Sequence, residues 1–264
     1  MKFSIETIDL TKVFTVRKDD SGSFVRRFRR GGTESIVAVD NVNLKIREGE
    51  IFGLLGPNGS GKTSITRMLC TVLTPTSGTA LVNGFDVRED DLEVRKQIGV
   101  MISSGRKGLS QRLSAWNNLE FYGALYGLPR DKRVERIKFL LDFFRIKERA
   151  HDQVQRFSTG MQRRLSLCKV LLPDSPILLL DEPTLGLDVE TTWKIGELLK
   201  KINKEQKKTI LLTTHHLSEA EKLCDRVAII NKGKVLTCAS PQILKDKTSE
   251  QSLENAYMSI VKSG

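Results

Sequence analysis

Long apolar runs are missing from the 264 residues, and none approaches the roughly 20 needed to cross a bilayer. The opening Met1-Lys2-Phe3-Ser4-Ile5-Glu6 does not resemble a signal peptide. The chain therefore reads as soluble or peripheral. Cysteine is sparse too: Cys70, Cys168, Cys224 and Cys238 lie far apart with no C-x-x-C pair, which argues against a disulfide framework or a metal site of that kind. A reducing cytosol suits such a chain. No internal repeat or low-complexity tract appears, so a single copy of one unit is expected. Acidic residues are outnumbered, 32 against 43 Lys and Arg, and the formal charge of +11 favours an anionic partner. Nucleotide, acidic lipid, nucleic acid and an acidic protein face all qualify, and charge alone does not choose among them.

What is present centres on Gly56-Pro57-Asn58-Gly59-Ser60-Gly61-Lys62-Thr63, between the apolar run Ile51-Phe52-Gly53-Leu54-Leu55 and a helix-compatible stretch from Ser64 to Leu73. Strand, glycine turn and helix in that order form the phosphate-binding P-loop pattern. Glycines let the backbone turn sharply and crowd its N–H groups round an anion, and the positive end of the helix points to the same place. Lys62 is placed to reach the β- and γ-phosphates, and the Thr63 hydroxyl is a hard ligand suited to Mg²⁺. Nucleotide contacts are expected from Gly56 through Ser64.

Alternation marks Phe3 to Leu10 and Val42 to Ile46 as half-buried strands, with Val16 to Ser35, rich in Gly and Arg, inserted between them. Short strands are expected at Thr79–Val82 and Ile98–Ile102. From about Leu113 to Ala150 the pattern is helical, broken at Pro129, with Leu119, Tyr122, Leu125 and Tyr126 spaced as a core-facing stripe. Ile177–Leu180, Thr209–Thr213, Val227–Ile230 and Val235–Cys238 read as further strands, and the non-alternating runs fit a mostly parallel sheet buried on both faces. At the C-terminus Leu253, Ala256, Tyr257, Ile260 and Val261 share one helical face, which predicts docking on the domain itself or on a partner.

Two more constellations carry chemistry. Asp181 and Glu182 end the apolar run Ile177-Leu178-Leu179-Leu180, at the sheet edge where ligands bind in open α/β folds. Asp181 can hold Mg²⁺ and Glu182 can act as general base, the alternative being two acids that cap a turn before Pro183. Phe157-Ser158-Thr159-Gly160-Met161-Gln162-Arg163-Arg164-Leu165 reads as a helix start capped by Ser158. His215 follows a predicted strand, where an imidazole can be structural or can report phosphate charge.

The order GPNGSGKT, FSTGMQRR, ILLLDEPTLGLD and LLTTHH resembles the Walker A, signature, Walker B with D-loop, and switch histidine of the ATP-binding subunit of an ABC transporter, across nearly the whole chain. The resemblance implies an α/β P-loop core with a mostly parallel sheet, an antiparallel β subdomain and an inserted helical subdomain at about 105–172. It implies an ATPase domain over 1–240 and a helical extension over 241–264. ATP would lie in a head-to-tail dimer, between one subunit's P-loop and the other's Ser158 and Gly160, with Asp188 as the D-loop aspartate and His215 as the switch. Phe14 matches the adenine-stacking aromatic, a core phenylalanine being the alternative. The implied partners are a transmembrane permease subunit and a second nucleotide-binding subunit, at the cytoplasmic face of the membrane. The serine-threonine-glycine-methionine form of the signature resembles the exporter branch.

One loop differs from the family pattern: Ser103-Ser104-Gly105 stands where a glutamine is usual, and Gln111 lies too far along for a simple match. A non-transport relative acting on ribosomes or DNA would suit the basic charge. Such relatives usually carry two domains or a long coiled-coil insertion, so no nucleic-acid partner is expected. A small P-loop kinase would have no signature helix. Within the insertion, Phe24 and Phe28 would share a helical face among Arg26, Arg27, Arg29 and Arg30, a pattern suited to the membrane partner or acidic headgroups, or else a solvated loop.

Overall fold

The computed structural model describes residues 2–17, 33–102 and 108–263. Strand β1 (Phe3–Arg17) runs past the expected end at Leu10, because a bulge at Ile8–Thr11 lets one strand serve two pairings. Its first half pairs antiparallel with β3 (Lys45–Arg47) and β5 (Ser77–Val82), and its second half with β2 (Thr33–Val42). Arg17 faces Thr33 across the ladder, so the described chain resumes directly opposite the point where it left. The arginine-rich stretch Ser23–Arg30 lies outside the described residues, as does Ser103-Ser104-Gly105.

The single strand expected over Val42–Ile46 is two. Thr7 intervenes: its hydroxyl donates to Val42 O at 2.8 Å and accepts from Leu44 N at 2.7 Å, so the chain steps from one pairing to the next at Asn43. The short β6 (Phe85–Asp86) extends this antiparallel sheet beyond β5.

Behind it lies a second sheet, in the order β11-β10-β4-β9-β8-β7, from β4 (Ile51–Leu55), β7 (Ile98–Met101), β8 (Ile177–Asp181), β9 (Thr209–Thr214), β10 (Arg226–Asn231) and β11 (Lys234–Ala239). All neighbours are parallel except β10 and β11. Strands β4, β8 and β9 are buried at every position. Alternate side chains feed two cores: Leu178 and Leu180 pack with the helical subdomain, whereas Ile177 and Leu179 pack with the antiparallel sheet. The fold is thus an α/β P-loop core carrying an antiparallel β subdomain and a helical one.

Helix α1 (Lys62–Leu69) follows β4, and the short α2 (Asp91–Gln97) precedes β7. The helical subdomain holds α3 (Ala115–Leu125), α4 (Arg130–Phe143) and α5 (Thr159–Leu171), joined through Leu119, Ile137, Leu141 and Leu165 in one core. The aromatic stripe is only half inside. Leu119 is buried and Tyr122 packs against the core, but Leu125 turns to the opposite side and Tyr126 falls beyond the helix end, both exposed.

Helix α6 (Val189–Gln206) links β8 to β9, and α7 (Leu217–Leu223) follows β9. At the C-terminus, α8 (Pro241–Thr248) and α9 (Leu253–Ser263) pack on α7. Glu221 accepts from Lys245 Nζ at 2.7 Å and from Leu253 N at 3.1 Å, fixing the corner between them. Leu253 and Ala256 are fully buried, and Tyr257, Ile260 and Val261 pack against the same core. Truncation after Lys247 should therefore cost several kcal/mol, since burying one leucine is worth about 1.5–3 kcal/mol. Differential scanning fluorimetry should show Tm falling by roughly 10 °C.

Candidate active site

The loop from Gly56 to Gly61 leaves β4 in the middle of the parallel sheet and delivers the chain into α1. Its glycines answer to close approach: a Cβ at Gly56 would sit 2.2 Å from the Ile230 carbonyl, and one at Gly61 2.5 Å from the Ala38 carbonyl. Gly61 also holds a φ of 110°. The loop is thus wedged between β10 and β2, and Ser60 N closes it by donating to Pro57 O at 3.2 Å. Lys62 folds back over it, donating to Gly56 O at 2.7 Å and to Pro57 O at 2.9 Å. Burial pushes the Lys62 ammonium below its ordinary value, while Glu182 and Asp181 pull it back towards the charged form. Ser60 Oγ is buried without a hydrogen-bond partner.

A cavity of 540 Å³ opens over this loop, lined by Ala38, Asn58, Gly59, Gly61, Lys62, Thr63, Ser64, Glu182, Leu185 and His215. The carboxylates arrive from β8 at its C-terminal end, the edge at which parallel sheets bind ligands. Thr63 Oγ1 donates to Asp181 at 3.0 Å, and Thr213 Oγ1 donates to the other oxygen at 2.5 Å. Glu182 is buried, and its Oε2 lies 2.7 Å from His215 Nδ1, an ion-pair separation without the alignment of a hydrogen bond. Asp181 and Thr213 face each other in the β8–β9 register, which brings Glu182 and His215 together from adjacent strand ends.

A second group of residues stands apart from this cavity. Ser158 caps α5 by accepting from Met161 N at 3.3 Å, and Asp188 caps α6 by accepting from Thr191 N at 2.8 Å. Those bonds hold the fully exposed Asp188 carboxyl below its usual range. A Cβ built at Gly160 would meet nothing nearer than Leu187 Cδ2 at 3.8 Å, so packing within the chain does not demand glycine there. Ser158, Gly160 and Asp188 do not line the phosphate cavity, and neither does Phe14. The Phe14 ring is partly exposed and lies outside both cores, with Lys12 Nζ 5.4 Å from its centroid.

Some neighbours of the carboxylates carried no sequence signal. Thr213 supports Asp181. Arg163, buried on α5, donates to Pro183 O at 3.2 Å, and burial holds its guanidinium below its ordinary value against the pull of Glu182 and Asp181. Thr184 donates to Glu219 Oε2 at 2.9 Å. A larger groove of 960 Å³ runs between α4 and α6 past Phe139 and Trp193. It contains no glycine loop and none of these carboxylates, so the smaller cavity is where phosphate chemistry can occur.

Comparison with known proteins agrees with this geometry. The family model described as ABC transporter matches residues 39–185. The ABC transporter ATP-binding protein NatA of Bacillus subtilis is 37% identical over 224 residues, covering 85% of this chain and 90% of its own. The Nod factor export ATP-binding protein I of Cupriavidus metallidurans is 40% identical over 210 residues, 80% of this chain and 68% of that one. Among solved structures, a dimeric post-hydrolysis state of the ATP-binding cassette MJ0796 bound to ADP and Pi superposes with a TM-score of 0.77 at 27% identity, covering 89% of this chain and 98% of that one. The chain belongs to the ABC transporter family, as an ATP-binding subunit that hydrolyses ATP to power transport.

Proposed function

We propose that two such subunits sandwich ATP head to tail at the cytoplasmic face of the membrane and drive a separate transmembrane permease, in the direction of export. The observation that carries this reading is the split between the two groups of residues. Lys62, Thr63, Glu182 and His215 line one cavity, with the buried Asp181 bonded to Thr63 beneath it, while Ser158, Gly160 and Asp188 are absent from its lining. At Gly160 a Cβ would make only ordinary contacts within its own chain, so a glycine there suits close approach by a group from outside, such as another subunit's phosphate. No helix among the described residues is long and apolar enough to cross a membrane. Export is supported by relatives named for it, the Nod factor export proteins among them.

In the reaction, the P-loop N–H groups and Lys62 hold the β- and γ-phosphates. Glu182 takes a proton from the attacking water as its oxygen bonds to the γ-phosphorus, and the bridging P–O bond breaks with its electrons passing to ADP. His215, in contact with Glu182, orients the water and the γ-phosphate. Thr63 and Asp181 supply hard oxygen donors of the kind Mg²⁺ prefers and would hold that ion. Bound there, the ion would neutralise phosphate charge. Phe14 would stack on adenine.

Mixing two inactive variants tests the composite site. Lys62→Ala spoils the P-loop half and Ser158→Ala the signature half, and one site of each mixed dimer keeps both halves intact. Partner-stimulated ATPase should rise on mixing towards about a quarter of the wild-type rate, given random pairing and independent sites. A mixture as inactive as its components would remove the head-to-tail arrangement.

A further inference from the structure

Glu182 and His215 meet from neighbouring strand ends, so their separation depends on what restrains the chain beyond each strand. Within the sheet the restraint is Thr213, which donates to Asp181 and accepts from Glu182 N at 3.1 Å. Beyond it, Glu182 holds a φ of 54°, in the left-handed region that costs a non-glycine residue about 1–3 kcal/mol unless its surroundings enforce it. The residues after Glu182 are therefore under constraint. Arg163 takes the Pro183 carbonyl, and the buried Thr184 hydroxyl donates to Glu219 Oε2 at 2.9 Å. Glu219 sits in the first turn of α7, whose cap is His216, next to His215. Burial pushes the Glu219 carboxyl above its usual range, the Thr184 bond pulls it back, and it feels the charges of His216, Glu182 and His215.

We propose that Thr184 and Glu219 are a positioning pair that sets the Glu182–His215 geometry by tying the turn after β8 to the first turn of α7. The proposal rests on the reading of Glu182 and His215 as the hydrolytic pair. Neither Thr184 nor Glu219 lines the phosphate cavity, so their effect falls on the chemical step and leaves ATP binding alone. Without the bond, the turn carrying Glu182 and the helix following His215 move independently, and small misplacements of reacting groups are costly.

The test is steady-state Mg²⁺-ATP hydrolysis by the full chain, with thermal unfolding measured alongside. Thr184→Val keeps the shape and removes the donor; Glu219→Ala removes the acceptor. Each should lower kcat about tenfold, with KM for ATP changed less than about twofold, and the double variant should fall no further than the worse single one, because both remove one bond. Thr184→Ser and Glu219→Gln, which keep a hydroxyl donor and an acceptor oxygen, should recover most of the rate. A merely structural role would lower Tm, move kcat and KM together and give additive losses, and that outcome overturns the proposal. So does unaltered kcat in Thr184→Val, which decides the matter by itself if Glu219→Ala does not fold. Glu182→Gln run in parallel separates the two levels. If it is inactive while the pair variants are unaffected, the pairing fails and the base assignment stands; if it is active, the base assignment fails first.

Discussion

Glu182→Gln will bind ATP with close to wild-type affinity and hydrolyse it at least a hundredfold more slowly, since a positioned general base contributes about 10²–10⁴ in rate. The substitution conserves shape in a buried position, and the Glu182 backbone bonds to Thr213 are untouched. Lys62, Thr63 and Asp181 keep their geometry, so the phosphate cradle survives. Only the proton acceptor is lost. Hydrolysis followed under saturating ATP, beside equilibrium binding of the same variant, separates the two effects. Equal losses in affinity and turnover would mean that Glu182 shapes the cradle.

Lys62→Ala should fail one step earlier. Lys62 is the cation over the loop, buried and within electrostatic reach of Glu182 and Asp181. Removing it leaves those carboxylates beside an incoming polyphosphate with nothing to offset the repulsion. Truncating one partner of a buried, hydrogen-bonded charge pair costs about 2–5 kcal/mol, which corresponds to a loss of roughly 30-fold to several thousandfold in ATP affinity. Titration with a fluorescent ATP analogue reads this directly. Lys62→Arg should not rescue, because a planar fork replaces the compact ammonium that now reaches both Gly56 O and Pro57 O.

Local features were legible in the amino-acid sequence and long-range ones were not. The glycines of 56–61, the cap at Ser158 and the buried runs at 51–55 and 177–180 declare themselves within a few residues, because turn, cap and sheet burial are set by neighbours in the chain. The break at Asn43 was not visible, since it is imposed by Thr7 on another strand. Nor was α2, where only Val94 is buried and no apolar face repeats. Tyr126 reads as core because helical spacing says which residues share a face and not where the helix stops, whereas Leu125, inside the helix, falls on its other side from Leu119. At the site, the same limit hid Thr213, Arg163 and the Thr184–Glu219 bond, each defined by register or packing between segments 20 or more residues apart. The Asp181–Thr213 register in particular brings Glu182 to His215, and no motif spells it.

Closure of two subunits on ATP is the claim on which the rest depends, and hydrolysis normally ends that state before it can be weighed. Light scattering behind a sizing column, applied to Glu182→Gln with and without ATP and Mg²⁺, measures it. The account predicts monomer mass without nucleotide, twice that mass with ATP, and a return to monomer when Ser158→Ala is added. A Glu182→Gln chain that binds ATP and stays monomeric at micromolar concentration would contradict it.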